Sequence, residues 1–360
     1  MSIYLDHIEK TPVFPKVYKD IERGFYDSKA ELLVTAANKT IADFCKINLK
    51  TWDIIFFDSA ESAAIILIDA CVFAYKKKTG KIPHIITTLT ENKRVLDHCD
   101  KLRFYGLIKM DKLTPDPYGN IAPETIYNFI DYNTCLVAIT AADNIYGTIN
   151  KYKQIAKNCK EVPFYCDISN IFGKLAIKPD MDMFTADARK FHGPMQGFLA
   201  IKRAMIKGYE LSFPDLPANI PYINGLNSAL ILYNKDRKKK NQKLIELRVH
   251  FLEQIKSLKI GDIVNYTRST GASGTDDILI LGSKSNNKLP DVITIAIIKM
   301  GVFKKVKQLQ DKFIFSFLHF RFLDIAQSLS KKIIRISFSD ITTKKSINLF
   351  TKEFVACFKN

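Results

Sequence analysis

Short apolar runs alternate with amphipathic stretches between about residues 50 and 205. The runs have the length of strands, and they predict β-strands at Ile54–Phe57, His84–Thr87, Leu107–Met110, Cys135–Thr140, Pro163–Cys166 and Gly197–Lys202. The stretches between them predict helices at Glu61–Tyr75, Asn92–Arg103, Pro123–Ile130 and Asn150–Asn158. Strands that alternate with helices favour a mostly parallel sheet covered on both faces. Such sheets bind ligands beyond the carboxyl ends of their strands.

The pattern changes in the last third of the chain. Leucine, isoleucine and phenylalanine recur at helical spacing from Leu244 to Leu258, which predicts a long helix over residues 224–257. Arg268–Asp277 predicts a loop. Beyond it we predict strands at Ile278–Leu281, Val292–Ile298 and Ile333–Phe338, and helices near residues 302–310, 322–330 and 344–356. The sequence therefore predicts an α/β protein with a large domain over residues 12–258 and a small α+β domain formed by residues 1–11 and 259–360.

The composition is that of a globular protein with an unusual charge. The chain has 360 residues, of which 47% are hydrophobic and 25% are charged, and its net charge is +17. This charge favours anionic partners, such as a phosphate cofactor, nucleic acid or an acidic surface, although a lysine-rich solvated surface is the commoner explanation. The basic run Lys235–Lys240 leaves the same alternatives open.

No segment of the sequence is suited to cross a membrane. The longest apolar stretch, Ala63–Tyr75, is interrupted by Asp69 and is shorter than the roughly 20 residues that span a bilayer. Met1–Asp6 does not resemble a signal peptide, because no basic region precedes an apolar run. We therefore expect a cytoplasmic protein without membrane insertion.

The cysteines carry no recognisable framework. Their number is odd and no CxxC pair occurs, so neither disulfides nor a zinc or iron–sulfur site is predicted. The seven cysteines are Cys45, Cys71, Cys99, Cys135, Cys159, Cys166 and Cys357. This usage fits a reducing compartment, and we expect most of the thiols to be small buried hydrophobic groups.

An acidic residue and a lysine dominate the most informative stretch, residues 164–197. Asp167 ends a predicted strand, and Lys190 lies in a short turn closed by Gly193-Pro194. Pyridoxal phosphate (PLP) needs such a pair, because the lysine forms a Schiff base and the carboxylate keeps the pyridine nitrogen protonated. Taken alone, however, Asp167 is more often a helix cap and Lys190 more often a surface charge.

Several motifs resemble those of one family. Arg189–Pro194 resembles the cofactor-lysine motif of class V aminotransferases of the NifS type, which include the cysteine desulfurases, and Asp167–Lys174 resembles their Asp-x-x-Gln-x-x-Gly-Lys motif. Four further segments match in the family's order, namely Ile3–Val13, Thr90–Leu96, Ala142–Gly147 and Ile334–Thr343. The resemblance covers nearly the whole chain. It implies the fold-type-I architecture of PLP-dependent transferases and a homodimer.

The resemblance also implies a site for PLP and for a small amino acid. The implied residues are Lys190 for the Schiff base, Asp167 for the pyridine nitrogen, Asn170 for the phenolic oxygen, Asn92 for the ring face, Ser59, Ala60 and Arg189 for the phosphate, Asn144 for cofactor and substrate, and Arg335 for the substrate carboxylate. No metal ligand is implied.

Several of these positions depart from the family pattern. Asn92 replaces a histidine whose aromatic area an amide lacks. Asn170 replaces a longer glutamine. At the phosphate, the helix that begins at Glu61 still attracts an anion, but Asp58 and Asp187 bring negative charge. The family's glycine-rich loop, whose threonine reaches the partner subunit's phosphate, has no counterpart between residues 208 and 224. We therefore expect weak PLP binding.

The decisive departure lies near residues 311–322. Cysteine desulfurases carry a mobile loop there whose cysteine takes the sulfur as a persulfide, whereas this chain has no cysteine in that stretch. Cys357 is the only later cysteine, and we do not expect it to act as a substitute. The resemblance therefore predicts little or no desulfurase activity.

Three interpretations remain open. The first is a degenerate NifS-like homodimer that no longer removes sulfur. The second is an active PLP enzyme of other chemistry, such as a lyase or an aminotransferase-like enzyme, since the implied lysine, aspartate and substrate residues would suffice for proton transfer at an α-carbon. The third is a basic interaction protein that binds nucleic acid or another anionic partner. The lysine-rich character is similar to the NifS-like proteins of large cytoplasmic DNA viruses such as African swine fever virus, which would imply the host cytoplasm or the virion.

Overall fold

The computed structural model describes residues 2–26, 29–177, 179–262, 276–285, 287–318 and 332–359. The strands are β1 (Ile3–Tyr4), β2 (Trp52–Phe57), β3 (His84–Thr88), β4 (Lys109–Leu113), β5 (Thr134–Ala138), β6 (Phe164–Asp167), β7 (Met183–Asp187), β8 (Gly197–Lys202), β9 (Ile260–Gly261), β10 (Ile278–Leu281), β11 (Val292–Ile297), β12 (Phe313–Ile314), β13 (Ser316–Leu318) and β14 (Ile333–Ser337). The α-helices are α1 (Pro15–Tyr26), α2 (Ala30–Cys45), α3 (Ala60–Thr79), α4 (Lys93–Phe104), α5 (Pro123–Phe129), α6 (Tyr152–Cys159), α7 (Arg203–Tyr209), α8 (Ile220–Lys235), α9 (Arg237–Gln254), α10 (Val302–Gln308) and α11 (Lys344–Ala356). Short 3₁₀ helices cover Ala188–Lys190 and Leu309–Asp311.

Seven strands form the large sheet in the order β2-β8-β7-β6-β5-β3-β4. Only β8 runs antiparallel to its neighbours, so the sheet is mostly parallel. Leu67 of α3 and Val95 of α4 pack against one face, and Ile155 of α6 and Leu226 of α8 pack against the other. A parallel sheet with helices on both faces confirms the predicted α/β fold.

A second sheet has the order β13-β14-β11-β10-β9. Phe350 of α11 packs in its core together with Leu244 and Phe251 of α9, so α9 contributes its apolar side to this sheet. The predicted domain limits at residues 12–258, 1–11 and 259–360 stay a prediction. Among the described residues, no helix combines the length and the apolarity needed to cross a bilayer.

The N-terminal segment, residues 3–14, ties the second sheet to the carboxyl edge of the large sheet. Ile3 pairs with Phe313 in a parallel register, and the Ile8 amide donates to Ser337 Oγ at 2.8 Å. Further along, the Thr11 amide donates to the Arg189 carbonyl at 2.7 Å. These bonds fix the backbone of the N-terminal segment beside Lys190.

The observed elements differ from the predicted ones in identifiable places. All six strands predicted before residue 205 are present with slightly different ends, but β7 was not predicted, because its five residues include the polar Thr185 and Asp187 and so form no apolar run of strand length. Helices α1 and α2 were not predicted either. The single helix predicted over residues 224–257 is wrong, because the chain breaks at Asp236 into α8 and α9.

The break at Asp236 has a local cause. Lys240 Nζ donates to the carbonyls of Leu232 and Tyr233 at 3.0 and 3.3 Å, and so satisfies the last turn of α8 with a side chain instead of a continued helix. The run of like charges from Arg237 to Lys240 also disfavours one uninterrupted helix. The predicted helix at residues 322–330 and most of the predicted loop Arg268–Asp277 lie outside the described residues.

Candidate functional site

A small cavity with about 30 Å³ of space for water lies at the carboxyl edge of the large sheet. It is lined by Ala60, Glu61, Thr90, Asn92, Thr140, Asp143, Asn144, Asp167, Ser169, Asn170, Asp187, Arg189 and Lys190. The strands β6 and β7 and the amino end of α3 deliver most of these residues, as expected for the carboxyl edge of such a sheet. The structure thus brings together seven of the nine residues predicted for the site, while Ser59 and Arg335 lie next to the lining.

Lys190 is held by the N-terminal segment. Its Nζ donates to the carbonyls of Ile8 and Glu9 at 2.6 and 3.0 Å. Burial lowers the pKa of Lys190, although the nearby carboxylates of Glu9 and Asp187 act in the opposite direction. A lysine whose pKa is lowered more readily supplies a neutral, nucleophilic amine, as Schiff-base chemistry requires.

Asp167 stands at the end of β6 in the same cavity. Its Oδ1 accepts from the Ser169 amide at 2.9 Å and from Ser169 Oγ at 2.6 Å, and burial raises the pKa of Asp167. Nearby, Asn170 donates to the Ala142 carbonyl at 2.8 Å, while its Oδ1 is buried without a hydrogen-bond partner among the described residues. The end of the cavity at which the pyridine ring of PLP is expected, which we call the ring end, therefore has the carboxylate of Asp167, the amine of Lys190 and the unpaired amide oxygen of Asn170.

Asn92 has a different role from the predicted one at the ring face. Its Oδ1 accepts from the Arg94 amide at 2.9 Å and caps α4, and its Nδ2 donates to Glu61 Oε1 at 3.2 Å. Both ends of the amide are thus engaged by the protein. Stacking on a ring, which was implied for this position, would compete with a helix cap.

A carboxylate occupies the end of the cavity at which the phosphate of PLP is expected, which we call the phosphate end. Asp187 Oδ2 accepts from the Ala60 amide at 3.2 Å, at the amino end of α3 where a phosphate would bind. Ser59 is occupied as the helix cap, since its Oγ accepts from the Ser62 amide at 3.1 Å. Asp187 reaches this position because Gly197, its partner in β8, has no side chain, and a Cβ there would lie 2.3 Å from the Ala60 nitrogen.

Arg189 is neutralised in the same place. Its guanidinium donates to Asp187 at 2.6 and 2.8 Å and to Glu61 at 2.9 Å. The hydrogen bonds to Asp187 raise the pKa of Arg189. Burial would raise the pKa of Glu61, but the charge of Arg189 outweighs it and lowers that pKa. The guanidinium that was expected to bind phosphate therefore already faces two carboxylates.

The residues fit PLP at one end only. Lys190 and Asp167 suit its ring, whereas a phosphate dianion at α3 would meet Asp187 and a paired Arg189. The expectation that Asp58 repels phosphate needs correction, because its side chain is exposed and does not line the cavity. Of the two carboxylates expected to repel phosphate, only Asp187 lines the cavity. In this arrangement the site as a whole does not fit the cofactor.

Arg335 forms a second neutralised cluster. It is only 1% exposed, its Nη1 donates to the Asn144 carbonyl at 2.9 Å, and its Nη2 donates to Asp6 Oδ1 and Ser316 Oγ, each at 3.1 Å. Nη2 also donates to Glu9 Oε1. Asn144 also lines the cavity, so the two predicted substrate residues are linked through a backbone carbonyl.

Three acidic groups near the cavity were missed as functional candidates. Glu9 lies between Lys190 and Arg335, and its only sequence signal was its place within Ile3–Val13, a segment that resembles a family motif. Glu91 accepts from the Thr140 amide and from Thr88 Oγ1, and burial raises its pKa to about 8. Burial likewise raises the pKa of Asp143 to about 7, although three backbone amides donate to it.

The seven cysteines share one kind of environment. All are buried, and burial raises the pKa of every one of these thiols. Cys357 Sγ donates to the Glu353 carbonyl at 3.3 Å within the last helix. The stretch that carries the mobile loop in desulfurases forms β12 and β13 as far as Leu318, and residues 319–322 lie outside the described part of the chain.

Solved structures share this architecture. A NifS-like protein superposes with a TM-score of 0.82 at 20% identity, and so does a NifS-like protein from Rickettsia africae at 18% identity, with all of both chains covered in each case. SspA in complex with cysteine superposes with a TM-score of 0.72 at 21% identity and covers 95% of this chain and all of SspA. These likenesses show that the fold is that of fold-type-I PLP proteins.

Curated relatives point in the same direction. The cysteine desulfurase IscS of Rickettsia massiliae is 31% identical in an alignment of 212 positions that covers 54% of this chain and only 50% of that protein. IscS of Rickettsia akari is 26% identical in an alignment of 377 positions that covers 97% of this chain and 89% of that protein. The sequence profile of the aminotransferase class-V family, whose members depend on PLP, matches residues 13–211. Because this match covers more than half of the chain, the protein belongs to the class-V aminotransferase family.

Proposed function

We propose that this protein is a NifS-like member of the family, derived from a cysteine desulfurase, that binds PLP weakly and has little or no desulfurase activity. The observation that carries the proposal is the bond from the Ala60 amide to Asp187 Oδ2. It places a buried carboxylate at the helix end that would otherwise attract a phosphate. Binding PLP in the family's manner would require Asp187 to leave this position or to share it with a dianion.

The loss of desulfurase activity follows from the cysteines. Persulfide formation needs a thiolate that reaches the substrate's sulfur, and a thiolate forms readily only where the pKa is lowered. Burial raises the pKa of all seven thiols, and none lies between residues 311 and 322. None of the seven cysteines, all of which lie in the described part of the chain, is therefore a good candidate for the sulfur acceptor.

A second candidate function is supported by the ring end. Lys190, with a lowered pKa, and Asp167 share one cavity, and Arg335 lies beside it. These are the groups that a lyase or an aminotransferase-like reaction on a small amino acid would need. This alternative requires that PLP bind despite Asp187.

Other properties stay predictions. The resemblance supports a homodimer, and two-fold dimers are the commonest soluble assembly. The alternative of an anionic partner such as nucleic acid rests on the net charge and on a groove of about 760 Å³, whose walls contain Lys239, Lys240, Lys243 and Lys344 but also Asp236, Glu246 and Asp340. The similarity to viral NifS-like proteins, and with it a place in the host cytoplasm or the virion, rests on sequence character alone.

One experiment tests the proposal. PLP is titrated into the purified protein and followed by its visible absorption, with borohydride reduction and peptide mapping at saturation. We expect weak binding, pyridoxyl label on the peptide containing Lys190, and no label at that peptide in Lys190→Ala. Sulfide release from cysteine is then measured at the same PLP concentration, with Cys357→Ser as a control. Stoichiometric PLP that survives dialysis, or turnover comparable to a desulfurase, would contradict the proposal.

A further inference from the structure

Glu9 occupies the space between the two basic residues that define the substrate side of the site. Its Oε1 accepts from Arg335 Nη2, and its backbone carbonyl accepts from Lys190 Nζ at 3.0 Å. An amino acid bound for reaction at Lys190 would place its carboxylate on Arg335. The side chain of Glu9 therefore stands where the ligand's carboxylate would bind.

The backbone around Glu9 cannot move easily. On one side the Ile8 amide donates to Ser337 Oγ at 2.8 Å, and on the other the Thr11 amide donates to the Arg189 carbonyl at 2.7 Å. The side chain of Glu9 is nevertheless 51% exposed. Only the side chain is thus free to leave Arg335, by rotating into solvent.

The charges around Arg335 disfavour a further anion. Asp6 and Glu9 both bind the guanidinium, which is itself only 1% exposed, so one positive charge already faces two carboxylates. Burial would raise the pKa of Glu9, but the charges of Arg335 and Lys190 outweigh it, and Glu9 stays ionised. A third carboxylate would meet repulsion unless Glu9 withdrew.

We propose that Glu9 is a specificity-determining residue that competes with a ligand carboxylate for Arg335, so that the site disfavours α-amino acids relative to primary amines without a carboxylate. The inference rests on the role proposed above for Arg335 and Lys190. It does not depend on how tightly PLP binds, because the competition takes place between protein and ligand carboxylates.

The test compares two ligands that differ only by the carboxylate. Isothermal titration calorimetry measures binding of L-serine and of ethanolamine to the purified protein, without and with saturating PLP. In the wild type, ethanolamine should bind at least as tightly as L-serine. In Glu9→Gln, L-serine should bind about threefold to fivefold more tightly, as expected when an exposed competing ion pair is removed, and ethanolamine should change by less than about 1.5-fold.

Matched variants separate the proposal from its alternatives. Glu22→Gln removes the same charge from an exposed position on α1 and should leave both affinities unchanged. Glu9→Ala should reproduce the gain for L-serine if Glu9→Gln folds poorly. An equal gain for both ligands, or no gain for L-serine in either Glu9 variant, would overturn the inference. Tight PLP binding by the wild type would instead overturn the proposed function, and the L-serine to ethanolamine ratio would still report on Glu9.

Discussion

At both ends of the cavity, carboxylates of the chain bind an arginine that the resemblance assigns to a ligand anion. At the phosphate end, Arg189 is bound by Asp187 and Glu61, and at the substrate end Arg335 is bound by Asp6 and Glu9. Each guanidinium thus faces two carboxylates of the chain itself. The two ends differ in the carboxylate that occupies the anion-binding position, which is Asp187 at the phosphate end and Glu9 at the substrate end.

That difference is one of burial. Asp187 is 1% exposed and also accepts two backbone amides, those of Ala60 and Arg189, whereas Glu9 is half-exposed and makes one side-chain contact. A buried carboxylate bonded to backbone cannot be displaced without disturbing the sheet, while an exposed one rotates away at little cost. We therefore expect Asp187 to lower the affinity of the site for PLP. Glu9 should change only the preference between ligands with and without a carboxylate.

The largest effect is expected from removing Arg335. In Arg335→Met, Asp6 remains largely buried without its counter-charge, and such a loss typically costs about 3–5 kcal/mol. Arg189→Met should cost clearly less, because Asp187 keeps its two backbone donors. Urea unfolding at neutral pH measures both values. Equal losses of unfolding free energy in the two variants would show that the two arginines contribute equally to stability, and would contradict the difference between the two ends.

A pH effect is expected from Glu91, which belongs to neither end. Burial raises its pKa from 4.5 to about 8, so the folded protein binds this proton more tightly than the unfolded chain. The stability that Glu91 contributes is therefore fully present below about pH 4.5 and is lost as the pH rises towards 8. Glu91→Gln should flatten the fall of the unfolding free energy over this window and add roughly 2–4 kcal/mol near pH 8.

Urea titrations at several pH values test this effect. The exposed Glu124, changed to glutamine, provides the control and should leave the pH profile as it is. Asp143 contributes in the same direction, because burial raises its pKa to about 7, so some pH dependence should persist in Glu91→Gln. A profile for Glu91→Gln that matches the wild type would mean that Glu91 is ionised in the folded protein.

The affinity for PLP should change when the blocking carboxylate is removed. Asp187→Ser frees the Ala60 amide and leaves Arg189 with one partner, which should tighten PLP binding by about tenfold to a hundredfold, as expected for a gain of about 1.5–3 kcal/mol. Arg189→Ala should weaken binding. Asp58→Ser, in an exposed position outside the cavity, should have no measurable effect. A similar gain in Asp58→Ser would point to long-range charge instead of direct contact.

The smallest effect is expected for the stability of Glu9→Gln. The contact of Glu9 with Arg335 is half in solvent, and exposed ion pairs contribute less than about 1 kcal/mol. Thermal unfolding should therefore barely distinguish this variant from the wild type. A loss as large as that of Arg335→Met would make Glu9 a structural residue and remove the contrast between the two ends.

Much of the framework was determined by the sequence alone. Apolar runs such as those of β3 and β8 predict buried strands, because burial of a strand depends on its own side chains. The pairing of Asp167 and Lys190 in one cavity was also predicted, but from the resemblance of their two motifs to one family, because β7, the strand that leads to Lys190, was not predicted. The chemistry of the ring end thus follows from local sequence motifs, whereas its strand order does not.

The closure of the two ends was decided by the tertiary structure. Asp187 binds the Ala60 amide across 127 positions of the chain, and Glu9 binds Arg335 across 326. The sequence pattern around a charged residue does not indicate which group it will contact. In the sequence, Glu9 and Asp58 are both acidic residues near a motif. Asp58 points to solvent, while Asp187 and Glu9 meet guanidinium groups, because backbone register and the absence of a side chain at Gly197 set which groups come within bonding distance.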